Sequence, residues 1–79
     1  MSTVHIITSG EYHYSYSIDG CFLDAQSALD AVAIMLKTER YEKFVKVGLP
    51  AENVWEDADG IDYINIETYP LLNKENVNE

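Results

Sequence analysis

Apolar spacing divides the 79-residue chain into strand-like and helix-like stretches. "VHIIT", Val4 to Thr8, is aliphatic and β-branched and runs into the turn pair Ser9-Gly10. It predicts a first strand. In "YHYSYSIDGCF", Tyr14, Tyr16, Ile18, Gly20 and Phe22 alternate with Ser15, Ser17, Asp19 and Cys21. That period of two predicts a second strand, antiparallel to the first. Gly20 within it marks a bulge or a close packing point.

The period then lengthens. Ala25, Ala28, Leu29, Val32, Met35 and Leu36 fall on one stripe of an α-helix. Asp24 is the expected N-cap, although Ser27 stands where a capping box calls for Glu or Gln. Lys37 and Arg40 suit a helix C-terminus. The helix ends either near Thr38 or, the preferred reading, between Tyr41 and Lys46, and Gly48-Leu49-Pro50 stops it. "NVWED" and "IDYINIETY" flank the turn pair Asp59-Gly60 and predict a second hairpin, with Ile64 and Ile66 facing the core and Pro70 ending the strand. The expected fold is α+β: a four-stranded antiparallel sheet in ββαββ order with one helix on one face. Residues 1–72 form a single domain, and residues 73–79 are expected to be a frayed polar tail.

Composition narrows the functional classes. Fourteen acidic residues against five basic ones give a formal charge of −9. Such a chain is repelled by nucleic acid and by anionic membranes and favours a cationic partner. No stretch approaches the roughly 20 apolar residues of a membrane span, and "MSTVHIITSG" lacks the features of a signal peptide. Cys21 is the only cysteine, so an intrachain disulfide is excluded and the thiol is expected to be buried and inert. The expected location is a reducing cytoplasm. His5 and His13 have no third ligand at a zinc spacing, and "DADGID" departs from a calcium loop in its glycine position. Neither a metal nor a cofactor is expected. No nucleophile, base or paired-acid constellation points to an enzyme.

Two stretches are candidate binding surfaces. Tyr14 and Tyr16 either build the core beside Ile18 and Phe22, with hydroxyls at its rim, or lie at or beyond the end of the sheet, where Tyr12, His13, Tyr14 and Tyr63 form an exposed aromatic patch. Residues 51–79 hold eight of the acids and only one base, Lys74. Glu56, Asp57, Asp59 and Asp62 surround the second hairpin, with Trp55 among them. They are either a solvated tip that resists edge aggregation or an acidic docking surface with an aromatic anchor. The candidate partner-binding residues are therefore Tyr12, Tyr14, Trp55, Glu56, Asp57, Asp59 and Asp62.

"IITSGEYHYSYSIDGCFLDAQSALDAV" resembles a family of small bacteriophage and prophage proteins. The elements that carry the resemblance are Ile6 to Tyr12, Tyr16 to Phe22 and Asp24 to Val32, with "YINIETYPL" as a looser closing strand. Residues 37–62 have no counterpart in it. The resemblance implies a phage setting and no residue roles. The motif carries no known activity; the phage setting together with the acidic charge leads to the expectation of a non-enzymatic protein that binds and inhibits a host or defence-system protein, by occupying a basic nucleic-acid-binding surface. The alternative is a small self-assembling scaffold or adaptor, a homodimer without inhibitory role.

Overall fold

The computed structural model describes residues 3–12, 14–49 and 52–70. In it, six elements follow one another: β1 (Thr3–Glu11), β2 (Ser15–Phe22), α1 (Ala25–Met35), β3 (Val45–Val47), β4 (Val54–Glu56) and β5 (Asp62–Pro70). The strands form one antiparallel sheet in the order β2-β1-β5-β4-β3. The α+β class and the single helix match the expectation from sequence. The strand number does not: among the described residues there are five strands rather than four, because the short edge strand β3 lies where the helix was expected to end. The expected tail, residues 73–79, lies outside the described residues.

The helix stops at Met35, short of the expected Tyr41 to Lys46. The Leu36 amide still donates to the Val32 carbonyl, four residues back, at 2.9 Å. After that the spacing tightens to three: Lys37 donates to Ile34, Thr38 to Met35, Tyr41 to Thr38 and Phe44 to Tyr41. The Thr38 hydroxyl also donates to the Met35 carbonyl at 2.6 Å, satisfying a helix-end acceptor. These turns bring Tyr41 and Phe44, three apart, onto the core with their rings edge to face at 5.0 Å. A period of three and one of 3.6 place the same residues inward over so few positions, which is why the sequence reads as a longer helix. At the other end the cap is as expected: Asp24 Oδ1 accepts from the Ser27 amide at 2.8 Å, and Oδ2 from its hydroxyl at 2.7 Å.

The two central strands, β1 and β5, pair in register over nine residues, with Ile7 opposite Ile66 and Ser9 opposite Ile64. Ile7, Ile64 and Ile66 on one sheet face meet Ala28 and Val32 of the helix, and Trp55 completes the core from β4. Phe22, Ala31, Met35, Leu36, Tyr41 and Phe44 pack around it. On the same face His5 is buried, with Nδ1 hydrogen-bonded to the Thr68 hydroxyl at 2.9 Å and Nε2 to that of Thr3 at 3.2 Å.

β2 does not keep its phase. Gly20 pairs with Ile7, but the next β1 residue, Thr8, pairs with Ile18, so Asp19 is an extra residue. This β-bulge reverses which side the rest of the strand presents. Phe22 and Gly20 face the helix, whereas Ile18 and Tyr16 face away from it. The strict alternation read from sequence, with Tyr16, Ile18 and Phe22 on one side, is thereby corrected. The bulge is pinned where the Asp19 carboxylate accepts a 2.6 Å hydrogen bond from the hydroxyl of buried Ser9, which in turn accepts from Tyr41 at 3.4 Å.

Residues on the two sides of the bulge are expected to differ in energetic weight. Ile64→Ala, in a fully buried site, should cost about 2–5 kcal/mol. Phe22→Ala should also destabilise clearly. Ile18→Ala, at a position 61% exposed, should change stability by only about 0.5 kcal/mol. Urea denaturation of the three variants measures this, and equal losses at Phe22 and Ile18 would contradict the bulge.

Candidate functional site

The face of the sheet away from the helix carries an aromatic groove. Gly10 sits at its centre in the pairing scheme, with Tyr16 opposite it on β2 and Tyr63 opposite it on β5. Only glycine fits there. A Cβ on Gly10 would lie 2.2 Å from the Ser15 carbonyl oxygen and 2.7 Å from the Tyr16 Cα, both backbone atoms. Its absence lets β2 close against β1 and brings Tyr16 into the same groove as Tyr63.

Tyr12 is the most constrained of the group. Its amide donates to the Ile61 carbonyl at 3.0 Å, tying the first hairpin to the second. Its ring stacks on Tyr63 with centroids 4.5 Å apart and planes 15° from parallel. Its hydroxyl donates to Glu56 Oε2 at 2.6 Å. Burial, and then the hydrogen bond and charge of Glu56, push the phenol up to about 12. Tyr14 and Tyr16, by contrast, are 83% and 68% exposed. Glu67 accepts from the Asn65 amide at 3.2 Å and from the Tyr69 hydroxyl, which holds its carboxylate in place and raises the Tyr69 phenol. Together Glu11, Tyr12, Tyr14, Tyr16, Tyr63 and Glu67, with Ser15, Val54 and Asn65, line a shallow groove of about 480 Å³.

The candidate residues from sequence do not form one surface. Tyr12 and Tyr14 line the groove, and Glu56 joins them through Tyr12. Trp55 faces the other way. It pairs with Ile64 and is only 9% exposed, so it belongs to the core and is not a docking anchor. Asp57 is used by its own turn, where Oδ1 accepts from the amides of Ile61 at 3.0 Å and Asp62 at 3.3 Å. The turn closes through Gly60, whose φ of 70° suits glycine. Asp57, Asp59 and Asp62 line a hollow of about 280 Å³ on the helix side together with Arg40 and Lys43. Those two cations offset part of the hairpin's charge.

Sequence reasoning missed Tyr16, Glu11 and Glu67 as groove residues. Tyr16 reads on the same side as Phe22 because the bulge signal at Gly20 does not say that an extra residue, Asp19, shifts the phase of the strand before it. The two glutamates carry no local signal, since β1 and β5 meet only through long-range pairing, Glu11 with Asp62 and Glu67 with Ile6. Cys21 is exposed rather than buried, because it pairs with Ile6 on the open face. Among the described residues, no group of three or more His, Cys, Asp or Glu is placed to hold a metal ion, and no helix is long and apolar enough to cross a membrane.

The burial of Tyr12 and its hydrogen bond to Glu56 set a pH window. A phenol raised from 10 to about 12 by folding contributes stability that is fully present below pH 10 and is lost as pH rises through 12. The stability advantage of the native chain over Tyr12→Phe should therefore be constant up to about pH 10 and shrink between pH 10 and 12. Thermal melts of the two across that range check it, and a gap that widens with pH would contradict it.

No protein-family model, curated protein or solved structure matches this chain, so the reading of this face rests on its own geometry.

Proposed function

We propose that this chain is a non-enzymatic binding module whose open sheet face docks on a basic protein surface. The observation that carries the reading is the pair of exposed rings, Tyr14 and Tyr16, set around a groove that Glu11 and Glu67 also line. Tyrosine is enriched at binding hot spots, because it brings a large rigid contact area with a polar end. The net charge of −9 supplies long-range attraction to a cationic partner and resists pairing of two copies. A phage setting, with inhibition of a host or defence-system protein in the cytoplasm as the outcome, comes from the resemblance of the opening motif. Of the two stretches expected from sequence to dock, the aromatic residues Tyr12 and Tyr14 line the groove proposed here, and the acidic hairpin lies outside it.

The test compares three tagged baits in bacterial lysate at low and high salt: the native chain, Tyr14→Ser/Tyr16→Ser, and Asp59→Lys. The captured protein is identified by mass spectrometry, purified, and its affinity for each bait measured by calorimetry. The expected result is a protein with a basic surface, bound at low salt and released at high salt. Loss of the two rings should weaken it by about 2 kcal/mol or more, whereas Asp59→Lys should weaken it far less. Equal binding by all three baits would overturn the reading. A tight homodimer in sedimentation, with the tyrosines protected, would replace it with the self-assembly alternative.

A further inference from the structure

We infer that the open-face groove is an arginine site: it takes the guanidinium of an arginine carried on an exposed segment of the partner. This deepens the docking function proposed above and rests on it. Among the described residues, the only acidic or basic residues lining the groove are Glu11 and Glu67. An anionic group is repelled there, and a cation is attracted. The remaining walls are largely tyrosine rings, whose negative faces attract a cation within about 6 Å. The Tyr12–Tyr63 stack is fixed by its hydrogen bond to Glu56, so one wall is formed before anything binds. Tyr14 and Tyr16 present free ring surface beside it.

Arginine fits this arrangement better than lysine. A guanidinium is planar, so it lies flat on a ring while its edge donates two parallel hydrogen bonds to a carboxylate. Glu67 offers such an acceptor with its orientation already set by Asn65 and Tyr69. An ammonium is a more strongly hydrated point charge and loses more on leaving water. The groove is also shallow, and an enclosed pocket is what a free small molecule needs to bury most of its surface. A side chain delivered by a protein surface needs only one end covered.

The probe is a capped glycine–arginine–glycine peptide, titrated into the ¹⁵N-labelled chain and followed by amide and tyrosine-ring shifts. Matched peptides carry citrulline, which keeps the shape and removes the charge, or lysine. The expected result is saturable shifts confined to residues 11–16 and 63–67, with a dissociation constant of about 10 mM or tighter. Citrulline should bind about tenfold more weakly, and lysine about threefold. Tyr16→Leu, whose ring is exposed and outside the core, should weaken the arginine peptide about tenfold while leaving the other amide shifts in place. Equal binding of citrulline and arginine, shifts centred on residues 57–62, or no saturable shift would each overturn the inference. The two proposals fail separately. A partner captured through Tyr14 and Tyr16 with no response to the peptide ends the arginine site alone. A responsive groove without a partner ends the docking function and leaves the site.

Discussion

The surface of this protein depends on one extra residue. Asp19 interrupts the pairing of β2 with β1, and from that point back to Ser15 the strand presents its other side. Without it, Tyr16 and Ile18 would follow Phe22 onto the helix face, and the core would have to hold them. With it, the core closes around small and branched residues, Ala28, Val32, Ile7, Ile64 and Ile66, and two tyrosine-bearing stretches meet on the opposite face. The hydrogen bond from Ser9 is what holds the bulge. Ser9 is buried, so its hydroxyl needs a partner, and the Asp19 carboxylate provides a strong one. The sheet's chemistry on one face is thus set by a polar contact that satisfies the other.

The carboxylates divide into two kinds of work. Asp24 caps the helix, Asp19 holds the bulge and Asp57 closes the second hairpin turn, each through hydrogen bonds to nearby donors. Asp24 is held below the usual carboxylate range by the Ser27 amide and hydroxyl. These groups stabilise the chain's own backbone and are committed before any partner arrives. Glu56 and Glu67 accept from tyrosine hydroxyls and so couple charge to aromatic surface. Most of the acidity that stands out in the sequence around residues 52–62 belongs to the first kind or faces Arg40 and Lys43. The functionally suggestive negative charge is elsewhere, beside the tyrosines.

Much of the fold was legible in the chain. The hydrophobic runs from Val4 and from Ile64, the N-cap at Asp24 and the Asp59-Gly60 turn each act within a few residues, and local physics decides them. The errors have a common origin in features that only pairing determines. β3 is three residues long and exists because β4 offers it an edge. The helix end was misplaced because Tyr41 and Phe44 reach the core from tight turns as readily as from a helix. Trp55 stands among acids in sequence and among isoleucines in space, since strand alternation turns its neighbours outward. Part of the groove was legible: Tyr12, Tyr14 and Tyr63 as an aromatic patch. Tyr16 required the bulge, and Glu11 and Glu67 required the β1–β5 register.

The central claim, that the bulge places Tyr16 on the open face, is tested most directly by nuclear Overhauser contacts of the Tyr16 ring in the isotope-labelled protein. The account predicts contacts from Tyr16 to the side chains of Tyr63 and Asn65, with none to the Val32 or Met35 methyl groups of the helix. Contacts from Tyr16 to those helix methyl groups would contradict it, restoring an unbroken alternation in β2 and removing the groove.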